Sequence, residues 1–334
     1  MNAPVAVLGA GSWGSALAVL LAGKELPVRL WGRDAAHVAV IASSQSNPDY
    51  LPGVTIPKLV EPTASLADAL RDARIVLVVT PSRALRELAG QLAASGDLAS
   101  DAVIVSGTKG LEHTTGLRMS EILANHLPTH PIAVLSGPSH AEEVARNIPA
   151  AVVLGCADVE VAKRLQLTFN TRAFRTYTSD DVAGIELGGA LKNVFAIAAG
   201  ICDGIGLGDN TKAALVTRSL AELIRLGVRL GGQRETFQGL SGIGDLMVTC
   251  FSRHSRNRLV GERIGRGEKL DAITASMKMV AEGVPTTRSA WECARKYEVV
   301  TPVVDQMHAI LYGGQSPKDA LNELMLRDPK PERE

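Results

Sequence analysis

A chain of 334 residues exceeds what one hydrophobic core organises, so two domains are expected. Lysine plus arginine number 35 and aspartate plus glutamate 35, which excludes a global field drawing the protein to nucleic acid or an anionic membrane; any bound anion must be held locally. Hydrophobic residues make up 46%, aromatics only 4%, and glycines number 32, a balance that favours closely packed α/β layers over an aromatic sandwich.

Met1-Asn2-Ala3-Pro4 lacks the basic segment and long apolar core of a signal peptide, which predicts a cytoplasmic protein. It leads into the apolar Val5-Ala6-Val7-Leu8, then Gly9-Ala10-Gly11-Ser12-Trp13-Gly14, then an Ala/Leu-rich helix. A G-x-G-x-x-G between strand and helix is a dinucleotide fingerprint. Gly9 permits the tight turn, Gly11 lets a pyrophosphate approach the backbone, and Gly14 lets the helix pack on its strand. The helix start adds unpaired N–H groups that favour an anion.

Pro27-Val28-Arg29-Leu30-Trp31 reads as the second strand and ends at Gly32-Arg33-Asp34. An acid at this place suits the ribose 2′-hydroxyl of NAD, and an arginine suits a 2′-phosphate. Because Arg33 precedes Asp34, NADP(H) is the expected preference, with NAD(H) also possible. The stretch 47–57, rich in proline and glycine, reads as an ordered irregular loop. Ile75-Val76-Leu77-Val78-Val79-Thr80, Val103-Ile104-Val105-Ser106 and Ile132-Ala133-Val134-Leu135 are apolar runs suited to parallel strands buried on both faces. Each ends in a turn at the sheet edge where open α/β folds bind ligands: Thr80-Pro81-Ser82, Gly107-Thr108-Lys109-Gly110 and Gly137-Pro138-Ser139. Further strands are predicted at 151–155 and 174–177, with a helix over 157–168 between them.

From Asp180 onward strand signals nearly vanish, which predicts an all-α second domain. The run 190–202 contains Lys192 and falls short of the ~20 residues that span a bilayer, so no membrane insertion is expected. Lys192 is the only charge between Leu187 and Cys202; such an ammonium either snorkels or meets a partner, and desolvation pulls it toward the neutral range of an acid/base. Asp245, after the glycine-rich 239–244, is either a helix N-cap or a carboxylate delivered to a site. Ser252-Arg253-His254-Ser255-Arg256-Asn257-Arg258 has the composition of a local phosphate site, or of a basic solvated helix end. Cys156, Cys202, Cys250 and Cys293 are scattered and read as reduced thiols. His126 and His130 have the spacing of a helical metal pair, but Pro128 breaks the helix such a pair needs, so no metal is expected.

Gly9–Gly14 with its Ser-Trp, Tyr50-Leu51-Pro52-Gly53, Lys109-Gly110-Leu111-Glu112, Ser136-Gly137-Pro138-Ser139, Ala190-Leu191-Lys192-Asn193-Val194, 203–215, 242–249 and Ser255-Arg256-Asn257-Arg258 carry a resemblance. The chain resembles the bacterial NAD(P)-dependent glycerol-3-phosphate dehydrogenases over essentially its whole length. The resemblance implies an α/β fold, an N-terminal Rossmann-type doubly wound sheet with an all-α C-terminal domain like that of 6-phosphogluconate dehydrogenase. It implies a cofactor domain at 1–180 and a catalytic domain at 181–327, while the charged, proline-rich 328–334 reads as a disordered tail. The implied reaction reduces dihydroxyacetone phosphate with NADPH, supplying glycerol 3-phosphate for glycerophospholipid synthesis. Lys192 is the implied proton donor and acceptor, with Lys109 polarising the same oxygen and Asp245 orienting Lys192. Lys109, Gly137, Ser139, Lys192, Asp245, Ser255, Arg256 and Asn257 would contact substrate. Ser12, Trp13, Arg33, Lys109, Ala141, Arg256, Val280 and Glu282 would join the glycine loop in contacting the cofactor. A homodimer is implied too. Two residues depart from the pattern: His140 stands where many relatives have Phe, and Ser15 where many have Thr.

Charge-assisted hydrogen bonds from Arg33 to a 2′-phosphate are worth ~1.5–3 kcal/mol, roughly one to two decades of affinity. Arg33→Ala is expected to weaken NADPH far more than NADH in fluorescence titrations. Equal loss of both would show that Arg33 does not read the phosphate.

Overall fold

The structure, a computed structural model, describes residues 3–277, 279–329 and 331–332. Its first half runs β1 (Val5–Leu8), α1 (Ser12–Ala22), β2 (Val28–Trp31), α2 (Ala35–Ser44), β3 (Ser46–Asn47), β4 (Leu51–Thr55), β5 (Val60–Thr63) and α3 (Leu66–Leu70). It continues through β6 (Ile75–Val78), α4 (Ser82–Ala94), β7 (Val103–Ser106), α5 (Met119–His126), β8 (Ile132–Ser136), α6 (Ala141–Val144), β9 (Ala150–Cys156), α7 (Val159–Phe169) and β10 (Phe174–Ser179).

Eight strands form one sheet in the order β10-β9-β8-β7-β6-β1-β2-β5. β1 pairs in parallel with β2 on one side, Val7 opposite Leu30, and with β6 on the other, Val7 opposite Leu77. The chain thus winds outward in both directions from β1, and the crevice beside its carboxyl end is the topological switch point. Among the described residues, the β8–β9 pairing is the one antiparallel pairing within this eight-stranded sheet. Val5, Val7 and Leu77 pack in one apolar cluster, while Ala6, Leu8 and Val76 pack in another, so each strand is buried on both faces as the continuous apolar runs require.

The stretch 47–57 corrects its sequence reading. It is not wholly irregular: β3 and β4 pair antiparallel, Ser46 with Thr55 and Asn47 with Leu51. Asn47 is fully buried, and its amide donates to the Ala10 carbonyl at 2.9 Å and to Ser15 Oγ at 2.8 Å, tying this hairpin to the glycine loop.

Among the described residues no strand follows Ser179. The second half is α8 (Val182–Ile205), α9 (Asp209–Arg229), α10 (Arg234–Phe237), a π-type turn at Leu240–Gly244, α11 (Asp245–Phe251), α12 (Arg256–Gly265), α13 (Leu270–Ala275), α14 (Gly283–Lys296), α15 (Pro302–Gly313) and α16 (Pro317–Met325). Asp328, Pro329, Pro331 and Glu332 are exposed and outside any helix or strand; Met1, Asn2, Lys330, Arg333 and Glu334, on which the leader and tail readings also fall, lie outside the described residues.

α8 is the axis of this half. The Asp181 carboxylate caps its start by accepting from Gly184 N at 2.8 Å, and Gly206 at φ +85° ends it. Its length overturns the short apolar run read from sequence. At 24 residues, with an 18-residue window of mean hydropathy 1.4, it reaches membrane-span length and composition, yet 94% of that window is buried inside the protein. A helix apolar all round is a core helix when other elements enclose it. Its small residues make that enclosure close: a Cβ on Gly200 would lie 1.9 Å from the Arg258 carbonyl oxygen, and one on Gly261 of α12 would lie 1.9 Å from that of Ile197. Gly204 and Gly265 repeat the contact one turn on, so α8 and α12 cross backbone against backbone.

Gly200→Val is therefore expected to destabilise by ~2 kcal/mol or more, as overpacking does, with a clear drop in Tm. Gly90 in α4 has open space around it, and Gly90→Ala should instead raise Tm slightly through the loss of unfolded-state entropy. The reverse order in thermal unfolding would contradict the close crossing.

Candidate active site

A cleft of ≈ 440 Å³ opens at the switch point, between the carboxyl ends of the strands and the helical half. One wall comes from the turns after β1, β2, β6, β7 and β8: Gly11, Ser12 and Trp13, then Arg33, Thr80, Lys109, and Ser139, His140 and Ala141. The other is Lys192 and Asn193 of α8, Asp245 and Thr249 of α11, Ser255, Arg256 and Asn257 at the start of α12, and Met279, Val280 and Glu282.

The first wall fits a dinucleotide. Gly9 sits at φ +131°, a conformation that side chains rarely adopt, and a Cβ on it would meet the Val79 carbonyl oxygen at 2.6 Å. A Cβ on Gly14 would lie 1.9 Å from the Gly9 oxygen, whereas one on Gly11 would meet nothing within 4 Å. The backbone at the start of α1 is thus bare toward the cleft, as a pyrophosphate needs. Arg33 is exposed and has no hydrogen-bond or ion-pair partner among the described residues. Asp34 caps α2, its Oδ1 accepting from Ala36 N at 3.0 Å and from His37 N at 3.2 Å.

The second wall carries the charge. Lys192 is 5% exposed and Asp245 1%. The Lys192 ammonium donates to Asp245 Oδ1 and, at 2.8 Å, to Thr249 Oγ1, which in turn donates to the Asp245 carbonyl at 2.6 Å. Lys109, from the strand half, donates to Asp245 Oδ2 at 2.9 Å. Burial, with the nearby Lys109 charge, pushes the Lys192 amine down to about 7 despite the attraction of Asp245. Burial also works against the Asp245 carboxylate, but Lys109 and Lys192 outweigh it and hold the group below its usual range. Asp245 is therefore the first residue of α11 and not its side-chain cap.

At the start of α12, Ser255 Oγ accepts from Arg258 N at 3.2 Å. The N–H groups of Arg256 and Asn257, in the first turn, are left without intrahelical acceptors. The Arg256 guanidinium donates to the Val280 carbonyl at 3.1 Å. Glu282 accepts from Ser82 N at 3.1 Å and Ser82 Oγ at 2.6 Å, clasping the two halves, and Ser12 Oγ donates to Met279 Sδ at 3.2 Å.

The pattern described as NAD-dependent glycerol-3-phosphate dehydrogenase N-terminus matches residues 4–162, and the one described as its C-terminus matches residues 181–322. The chain belongs to this family. A glycerol-3-phosphate dehydrogenase (NAD(P)+) of Thioalkalivibrio sulfidiphilus is 49% identical over 330 residues, covering 98% of each chain. That of Chlorobium limicola is 48% identical over 332 residues, 98% of this chain and 99% of the other. A crystal structure of glycerol-3-phosphate dehydrogenase from Coxiella burnetii matches with a TM-score of 0.94 at 38% identity, covering 98% of this chain and 99% of that one. The Rossmann-type sheet followed by an all-α domain is the architecture expected of this dehydrogenase family.

Not every residue expected at the site lines it. Gly9, Gly14 and Gly137 stand behind the cleft surface; Gly137, at φ +139°, lies against β9, where a Cβ would meet Val152 Cα at 2.9 Å, and its carbonyl accepts from Ser139 Oγ at 3.0 Å. The Asn257 side chain turns inward, donating to Asn193 Oδ1 at 2.9 Å and accepting from Gly283 N at 2.9 Å, which leaves its backbone N–H for a ligand. Sequence reasoning gave Thr249 no role, although its i,i+4 spacing from Asp245 places both on one face of α11. The four cysteines are unpaired buried thiols. His126 ends α5 while the ring of His130 lies 3.2 Å from the Ala99 carbonyl, and no three His, Cys, Asp or Glu gather as metal ligands among the described residues.

Asp245→Asn removes the attraction that offsets burial at Lys192. The amine should then titrate below about 7, read from the 13Cε shift of labelled lysine. An unchanged or raised value would show that the carboxylate does not support the ammonium.

Proposed function

We propose that the chain interconverts sn-glycerol 3-phosphate and dihydroxyacetone phosphate with NADP(H) in preference to NAD(H), working mainly toward glycerol 3-phosphate for phospholipid synthesis. The observation that carries this reading is a buried lysine, tuned to about 7 beside a carboxylate, lying between a bare glycine loop and a cationic helix start. A bound nicotinamide supplies the hydride to the ketone carbon, or takes it from the alcohol.

The residues of the chain then have distinct tasks. In reduction, negative charge grows on the ketone oxygen; the Lys192 ammonium stabilises it and delivers the proton. In oxidation the neutral amine takes that proton back. Asp245 and Thr249 engage two of the three donors of the ammonium, so the third is the one available to substrate. Lys109, on the same carboxylate, is a second cation for the developing charge. Arg256 and the backbone N–H groups of Arg256 and Asn257 bind the phosphate as charge-assisted donors at a helix start, with Ser139 and Ser255 at its edge. Ser12, Trp13, Ala141, Val280 and Glu282 enclose the cofactor, and Arg33 reads its 2′-phosphate. In this reading residues 1–180 hold the cofactor, 181–327 bring substrate and proton donor, and 328–334 lie apart as a tail. Resemblance supports a cytoplasmic homodimer, and a formal net charge of zero argues against nucleic acid as a partner.

Lys192→Met should lower kcat for dihydroxyacetone phosphate reduction by at least ~10³, followed as NADPH oxidation, while NADPH affinity changes little. In the unsubstituted enzyme the reduction rate should fall as pH rises through about 7, because the proton donor is lost, and the oxidation rate should rise over the same range. A Met variant keeping more than about a tenth of kcat would assign proton transfer to another group, Lys109 first.

A further inference from the structure

The stretch 203–215 carries part of the family resemblance, yet none of its residues lines the cleft. Its charges converge behind it. The Asp203 carboxylate, near the end of α8, accepts from Lys212 Nζ at 2.9 Å on Oδ1 and 2.8 Å on Oδ2, and from Arg258 Nε at 2.6 Å on Oδ2. Lys212, near the start of α9, is 7% exposed, and its ammonium lies 4.7 Å from the ring centroid of Phe251, the residue that ends α11. Arg258 belongs to the first turn of α12, where its N–H donates to Ser255 Oγ. One carboxylate thus joins α8, α9 and α12, and through Lys212 it reaches α11.

Three of these helices carry groups that line the cleft: Lys192 on α8, Asp245 and Thr249 on α11, and Arg256 and Asn257 at the start of α12. The hub stands close behind them. Burial pushes the Cys250 thiol of α11 up to about 12, and the charges acting on it are Lys192 and Asp245 of the cleft together with Lys212 and Asp203 of the hub. The glycine crossing of α8 and α12 sets how closely the two helices approach, but a carbonyl against a glycine has no side chain to stop one helix rolling on the other. Bonds at two separate points of α8 do stop it: Asn257 to Asn193 at 2.9 Å, and Arg258 to Asp203. Glu262, 3.8 Å from Arg258 Nη1, lies on α12 itself and cannot hold that helix to another.

We propose that Asp203 is a positioning residue: acting through Arg258, it fixes the roll of α12 about its axis and so aims the first N–H groups of that helix at the phosphate of the substrate. The proposal rests on the substrate reading above and gives neither Asp203 nor Arg258 a contact with the ligand. Lys212 holds the carboxylate in turn by donating to both of its oxygens.

The test follows NADPH oxidation with dihydroxyacetone phosphate and with phosphate-free dihydroxyacetone, alongside thermal unfolding, in wild type, Arg258→Met, Arg258→Lys, Asp203→Asn and the double variant Asp203→Asn with Arg258→Met. Because a displacement of about 1 Å far from the reacting atoms can cost ~10²-fold, Arg258→Met should raise KM for dihydroxyacetone phosphate about 10- to 100-fold. Its kcat, its KM for NADPH and its kcat/KM for dihydroxyacetone should stay near wild type, the pattern of lost ground-state binding. Asp203→Asn should raise the same KM, and the double variant should lose no more than Arg258→Met alone, since both changes cut one tie. Arg258→Lys, which keeps a cation for the carboxylate, should recover part of the affinity. The two Arg258 variants leave the Asp203–Lys212 pair intact, so they decide the matter even where Asp203→Asn fails to fold. Any of four results overturns the proposal: KM unchanged in Arg258→Met, an equal loss with the phosphate-free ketone, losses that multiply in the double variant, or no recovery in an Arg258→Lys protein that unfolds at the wild-type temperature. A wild-type protein inactive on dihydroxyacetone phosphate would overturn the substrate reading as well, and so separates the two failures.

Discussion

Two ammonium groups from opposite halves of the chain meet on one buried carboxylate, and the working geometry depends on that meeting. Without Asp245, Lys192 would be a lone charge in an apolar helix bundle and would repel Lys109 across the cleft. With it, the positive charges are held in place, one of them on the edge between charged and neutral. Breaking such a buried arrangement by removing one partner leaves uncompensated charge, which commonly costs ~3–5 kcal/mol. The same contact docks the β7 turn onto α11, so joining the halves and pairing the buried Lys192 ammonium are one structural event.

Other clasps reinforce it at the periphery. The side chain of Glu186, near the start of α8, is buried and accepts from Ser120 N at 2.8 Å and Arg118 Nη1 at 2.9 Å, fastening α8 to the start of α5. Burial raises the Glu186 carboxyl, against the opposing pull of Arg118. Glu282 makes the equivalent bond to Ser82 at the start of α4. Glu186 and Glu282 each meet a backbone N–H at a helix start of the strand half, where the helix dipole favours negative charge. The cleft is thereby bordered by contacts that hold its walls without filling it.

Much of this arrangement was legible in the residues. The strand, glycine loop and helix at the start of the chain declare themselves through period and spacing, and Lys192 through being the one charge between Leu187 and Cys202. Where reading failed, the determinants are nonlocal. The 47–57 hairpin hides because its strands are very short and one contains proline; what orders it is Asn47 reaching back to Ala10 and Ser15. The apolar run of α8 looked too short because its first turns contain glycine, glutamate and alanine, of which the glycines are buried and Ala183 and Glu186 half-buried by neighbours no local window can see. Asn257 and Thr249 belong to the same class: their roles follow from which way α12 and α11 face across α8.

The backbone crossing of α8 and α12 has a consequence for selectivity. Lys192 rides on one of these helices and the N-terminal turn that lines the cleft opens the other, and between them stand glycines with carbonyl groups pressed where side chains would be. A separation fixed by main chain on main chain does not relax through rotamer changes. The two helices therefore act as a caliper: the span from the Lys192 nitrogen to the first N–H groups of α12 is a property of the fold, and under the proposed function a ligand is measured by its length before any group on it is recognised.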